Sequence, residues 1–214
     1  MLASEVLEIL GVSLRVSLTA TVLAALASVP LGLVLALKRF PGRRVLVTVS
    51  HTLMALPTVV VGLLLYGLLS RSGPLGFLGL LYTPWAMIAG QFVLALPIIT
   101  SLTYSAVVGV DPRVSCTALT LGARPWQAAL TVLSEARFAL LAAVAAGFGR
   151  VVTEVGAAIM LGGNIKGFTR TMTTAITLET AKGEFSLGIT LGLILLAVAL
   201  GVNLLIAVAV RRRR

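Results

Sequence analysis

Residues 111–137 read DPRVSCTALTLGARPWQAALTVLSEAR and form the longest polar break in an otherwise apolar chain. Asp111 is a good N-cap and Pro112 a good first helical residue, so a helix starts there. Gly122 stands where a left-handed residue would end that helix, and Pro125 opens a second one through Trp126. The local signals therefore describe two short helices joined by a tight turn. Everything on either side of them has the composition of a membrane.

Of the 214 residues, 58% are hydrophobic and 11% charged, with a mean hydropathy of +1.08. A soluble domain has roughly 45–50% apolar and about 25% charged residues, so the chain is an all-α polytopic membrane protein. A bilayer core takes about 20 apolar residues per helix. Five segments meet that standard, near residues 12–37, 45–69, 84–108, 138–161 and 186–210. They make one transmembrane domain over residues 1–214, with no room for a soluble appendage. Glu5 and Glu8 occupy the place of a signal peptide's basic region, and the apolar run after Gly11 is too long for its core, so this opening reads as a retained helix.

Lys and Arg set the orientation. One set of connections carries Lys38, Arg39, Arg43, Arg44, Arg113, Arg124, Arg137 and the run Arg211 to Arg214; the other carries Arg71, Lys166, Arg170 and Lys182. The richer set belongs in the cytoplasm, which puts the amino terminus outside and the 111–137 loop inside. The net charge of +10 is thus a matter of membrane topology; the basic clusters adjoin apolar runs with few aromatics, which argues against nucleic acid. The single cysteine, Cys116, excludes an internal disulfide and offers no metal cluster, so no metal site is expected.

Within the apolar segments a few residues carry the candidate chemistry. Pro57 and Gly62 lie in ALPTVVVGLLL and Pro97 in LALPIIT. A membrane proline frees a backbone carbonyl, which makes each either a static kink or a break lining a cavity. In GFGRVVTEVGAAIMLGGN, Arg150 and Glu154 stand four apart on one helical face near mid-membrane. Charges at that depth cost roughly 3 kcal/mol each when unpaired, so they form an internal salt bridge, line the route as a gate, or do both. Ser13, Ser17, Thr19, Thr21 and Ser28 suit helix packing in lipid. The segment from Leu161 to Phe185 is too short and polar for a sixth span and is expected outside, with Met172, Ile176 and Leu178 resting on the bundle. Its Lys166, Arg170 and Lys182 are candidates for docking an acidic partner or attracting an oxyanion, or are a solvated face.

The loop also resembles something specific. Ala118, Leu121-Gly122-Ala123 and Val132 reproduce the spacing of the EAA loop of ABC-importer permeases, with Cys116 and Thr117 in place of its acidic residue and first alanine and Ser134-Glu135 in place of its Leu-Pro. The bare alternative is an amphipathic connector without a partner. The pattern Arg150-x-x-x-Glu154-x-Gly156-Ala157 resembles molybdate, tungstate and sulfate permeases, and the stretch after it looks most like the tungstate ones.

That resemblance implies a permease subunit of an ABC importer for an oxyanion, most like tungstate, with molybdate or sulfate as the alternative. It implies a transport subunit in a prokaryotic cytoplasmic membrane, not an enzyme. It implies a homodimer around a pore, an external substrate-binding protein, and two copies of an ATP-binding subunit that hold ATP and Mg. The chain has no GxxxxGK[ST] loop of its own. Cys116, Ala118, Leu121, Gly122 and Ala123 would form the docking surface for the ATPase. Outside the class, a secondary transporter or channel would call for inverted repeats, and no clear repeat is present.

Overall fold

The computed structural model describes residues 2–211; Arg212, Arg213 and Arg214 of the basic terminus lie outside the described residues. Ten α-helices follow one another: α1 (Leu2–Leu37), α2 (Arg43–Leu53), α3 (Thr58–Leu69), α4 (Pro84–Val108), α5 (Pro112–Thr120), α6 (Pro125–Glu135), α7 (Arg137–Val152), α8 (Gly156–Gly162), α9 (Met172–Ala181) and α10 (Phe185–Arg211). Three are long and apolar enough to cross a membrane, over Ser4–Leu37, Pro84–Val108 and Phe185–Val202. Counting the bent pairs α2 with α3 and α6 with α7 as one span each brings the number to five.

The bundle is organised around α1 and α4. Small residues make their contact close: Ala20, Ala24, Ser17 and Ser28 are buried along α1. A methyl group added at Gly32 would lie 2.7 Å from Thr103 Cγ2, so the backbones touch where that glycine sits. Ser28 Oγ donates to Leu96 O of α4 at 3.0 Å. In lipid, where water gives no hydrophobic drive, such close packing and interhelical hydrogen bonding hold helices together.

Three sequence-based boundaries need correction. Helix α1 begins ten residues before the expected span, because nothing in the first turns breaks it and Glu5 suits the positive end of the helix dipole. The segment near 45–69 is not one straight helix: α2 and α3 meet at 103°, and Pro57 opens α3 rather than kinking its interior. The carbonyl of Pro57 accepts from the amides of Val60 and Val61, as a residue at a helix start does. Helix α2 buries none of its residues, and Arg43 at its start donates to Leu35 O and Ala36 O at the end of α1, satisfying carbonyls that have no helical partner. The segment near 138–161 is likewise divided, α7 ending at Val152 and α8 beginning at Gly156.

Residues 161–185 rest on the bundle as expected, with Met172 buried and Ile176 and Leu178 half-buried, and the start of α9 goes deeper than expected, Thr173, Thr174 and Ala175 being buried with Met172. Hydroxyls make this tolerable. Thr171 and Thr174 exchange side-chain and backbone hydrogen bonds at the start of α9, and Thr169 Oγ1 donates to Gly162 O. Non-helical backbone is stable at depth only where protein groups satisfy it, and here threonines do so.

Candidate coupling loop and membrane-embedded ion pair

The loop follows its local chemistry closely. Asp111 Oδ1 accepts from the amide of Arg113 at 2.9 Å, and Pro112 takes the first helical position of α5. Gly122 has φ +87°, the left-handed region that favours glycine, and the amide of Ala123 returns to Ala118 O at 3.0 Å. Gln127 Oε1 accepts from the amide of Arg124 at 2.7 Å and so fixes the start of α6. The two helices are joined by a turn that local bonds hold.

They differ in how they meet the rest of the molecule. Helix α6 buries Ala128 and Val132, and Val132 joins a cluster with Val107 of α4, Ala136 at the junction of α6 and α7, and Leu140 of α7. Burying a valine is worth about 1.5–3 kcal/mol, enough to seat one short helix firmly. Helix α5 buries nothing. Of the residues singled out from the sequence, Cys116 and Gly122 are exposed, Ala118 and Ala123 half-buried, and Leu121 is 83% exposed at the apex of the turn. Trp126 and Leu119, which motif spacing did not single out, are exposed beside it. Their signal was available: large apolar residues in the longest polar break of the chain. The arrangement is an apolar-tipped turn carried on a fixed helix.

The second site lies where α7 gives way to α8. Arg150 is in the last turn of α7, and Glu154 falls in the break after it rather than on the same helix. The pair nevertheless closes: Arg150 Nη1 donates to Glu154 Oε2 at 3.0 Å. Glu154 is only 3% exposed, and its other oxygen accepts from the amide of Ala157 at 3.1 Å, in the first turn of α8. Thr173 Oγ1 of α9 donates to the Glu154 carbonyl at 2.8 Å. One buried carboxylate thus joins α7, α8 and, through its backbone, α9. Arg150 keeps a side chain 39% exposed, so its guanidinium has a free face that Glu154 does not.

Gly62 and the residues just after Pro57 stand across from this break. Gly62 lets α3 lie on α8, since an added methyl would be 2.8 Å from Met160 Sδ and 3.0 Å from Ala157 Cα. Gly156 is close to Val59 and Thr58, the first residues after Pro57. Pro97 is buried within α4, whose Leu94, Ala95 and Ile99 share a core cluster with Val61, Val151 and Ala157. Met172, further along, is tied to the first helix: its amide donates to Ser13 Oγ at 2.7 Å. Thr173 on Glu154 and Ser13 on Met172 tie the site to α9 and α1, and no local pattern announces either contact.

Lys166, Arg170 and Lys182 come together at the amino-terminal ends of α1 and α10. Each is paired, Lys166 with Glu5 at 2.8 Å, Arg170 with Glu5 at 3.9 Å and Lys182 with Glu179 at 2.9 Å.

Comparison with known proteins now bears on these features. A family model described as "binding-protein-dependent transport system inner membrane component" matches residues 28–214. The chain belongs to that family. It is therefore a transport component of a cytoplasmic membrane rather than an enzyme, and such systems work with ATP-binding and substrate-binding partners. A probable anion ABC transporter permease protein of Haloferax volcanii is 45% identical over 203 residues, covering 92% of this chain and 88% of that one. A tungstate uptake system permease protein of Peptoclostridium acidaminophilum is 40% identical, covering 94% and 89%. A molybdenum transport system permease protein of Escherichia coli is 34% identical, covering 78% and 80%.

Proposed function

We propose that this permease is the membrane subunit of an ABC importer for an oxyanion, tungstate in particular. The observation that carries the importer reading is the apolar tip at Leu121, held out on a helix whose other face is locked into α4 and α7. A turn seated this way transmits a push from a soluble partner to the membrane helices. Cys116, Ala118, Leu121, Gly122 and Ala123, with Trp126, form the surface on which the ATP-binding subunit sits. Two such subunits, each binding ATP and Mg, serve a homodimer of this chain, and an external binding protein delivers the anion. The amino terminus is outside and the 111–137 loop cytoplasmic, in keeping with the distribution of Lys and Arg.

The tungstate assignment rests on the order of resemblance, in which the tungstate permease covers more of the chain at higher identity than the molybdenum one. Arg150, with its free face, offers an anion a positive group on the route, while Glu154 holds it in place. Pro57 and Gly62 shape the wall opposite, and rocking of the two halves opens the route to either side. Lys166, Arg170 and Lys182 stand at the end of the bundle that the binding protein approaches.

Elemental analysis of cells with and without this chain, given tungstate and molybdate together at low concentration, tests the substrate. Loss of cellular tungsten alone is the expected result. Loss of molybdenum instead leaves the importer reading and replaces its cargo; no change in either ends the oxyanion reading. A cysteine introduced at position 76 is labelled from outside, and labelling only from inside would invert the topology.

A further inference from the structure

The paired cations at the amino-terminal ends of α1 and α10 surround a cavity of about 420 Å³, lined by Glu5, Lys166, Arg170, Glu179 and Lys182 on one side. The other side is apolar: Ile9, Ala175 and Leu191 come from a buried cluster, joined by Val6 and Leu187. Small-molecule sites occupy roughly 300–1,000 Å³, so the space suits a ligand larger than a lone tetrahedral anion.

Its charges are unequal. Three cations face two carboxylates, which leaves one positive charge in excess. Arg170 is the fixed member, its side chain only 15% exposed, while Lys166 and Lys182 are 62% and 51% exposed at the rim. The Nε of Arg170 is buried without a hydrogen-bond partner, and its link to Glu5, at 3.9 Å, is longer than a hydrogen bond. The guanidinium of Arg170, which lines the cavity with a side chain 15% exposed, therefore has donors to spare for a further acceptor. A hydrated oxyanion would satisfy it but gain nothing from the apolar wall.

We propose that the cavity binds the headgroup of an anionic phospholipid, its phosphodiester on Arg170 and Lys182 and its glycerol and upper acyl chain along Ile9, Leu187 and Leu191. The location agrees: the cavity opens where α1 and α10 begin, and the α10 span is almost wholly exposed to its surroundings, only 11% of it buried within the chain. A partly exposed charge pair, such as Lys or Arg on a lipid phosphate, is worth up to about 1 kcal/mol, about a fivefold change in occupancy. The site is independent of which oxyanion the permease carries, so the uptake experiment and this one fail separately.

The test is native mass spectrometry of the detergent-solubilised permease complex, loaded with phosphatidylglycerol or with phosphatidylcholine. The intact complex is expected to retain phosphatidylglycerol preferentially, and Arg170→Gln and Lys182→Gln each to lower that retention about fivefold. Leu191→Trp, which fills the apolar wall and leaves every charge in place, lowers it too. Equal retention of the two lipids overturns the proposal, as does unchanged retention in both Lys182→Gln and Leu191→Trp, whichever way Arg170→Gln folds. Displacement of the lipid by excess inorganic phosphate would make this an oxyanion subsite and overturn it as well.

Discussion

The chain has two long polar interruptions, and they solve the same problem in opposite ways. Residues 111–137 satisfy their backbone locally, with Asp111, Gln127 and the left-handed Gly122, and leave α5 bare. Residues 153–181 add to their local threonine bonds partners from further off: Thr173 on the Glu154 carbonyl, Ser13 on the Met172 amide, and a side-chain pair between Lys166 and Glu5. A locally satisfied polar segment is free to leave the bundle and meet another protein. One that needs tertiary partners is held inside the bundle.

If this contrast is right, substitutions in the second region act on stability and those at the tip of the first act on coupling. The largest effect belongs to Arg150→Ala, which leaves the buried Glu154 carboxylate without its cation; breaking a buried pair in this way costs about 3–5 kcal/mol, read as loss of folded protein or a lower melting temperature in detergent. Glu154→Ala costs less than this, because the arginine it leaves is partly exposed and only the Ala157 amide loses a buried partner, and the double variant costs less than the sum of the two. Simple additivity would break the pairing. Gly62→Leu comes next, at about 1–3 kcal/mol, because the Ala157 backbone cannot move aside for it. Ser13→Ala leaves the Met172 amide without its acceptor and lowers stability by about 1–2 kcal/mol, measured by the same melting curve. The smallest effect on stability is that of Leu121→Asp at the exposed tip, within about 0.5 kcal/mol.

The same contrast explains what could be read from the sequence. Caps, prolines and the left-handed glycine of the 111–137 loop act within a few residues, so the helix bounds of α5 and α6 were legible there. Hydropathy marked α4 and α10 for the same reason. It did not reveal that α2 turns through 103° into α3, since a run of Leu and Val around Pro57 reads alike whether straight or bent. Nor did it reveal the burial of α9. Ser13 and Met172 are 159 residues apart in sequence, and no local pattern announces that a serine on the first helix will accept a hydrogen bond from the ninth. The spacing of Arg150 and Glu154 predicted their contact, although the helix face it assumed ends at Val152; the pair survives because Glu154 follows directly and still reaches back.

The most direct test of the coupling account is ATPase activity of the reconstituted complex, with and without loaded binding protein, for the wild-type chain and Leu121→Asp. The account predicts an unchanged melting temperature and loss of the stimulation that the binding protein gives. Full stimulation in a complex carrying Leu121→Asp would contradict it, and the loop would then be only a connector between membrane helices.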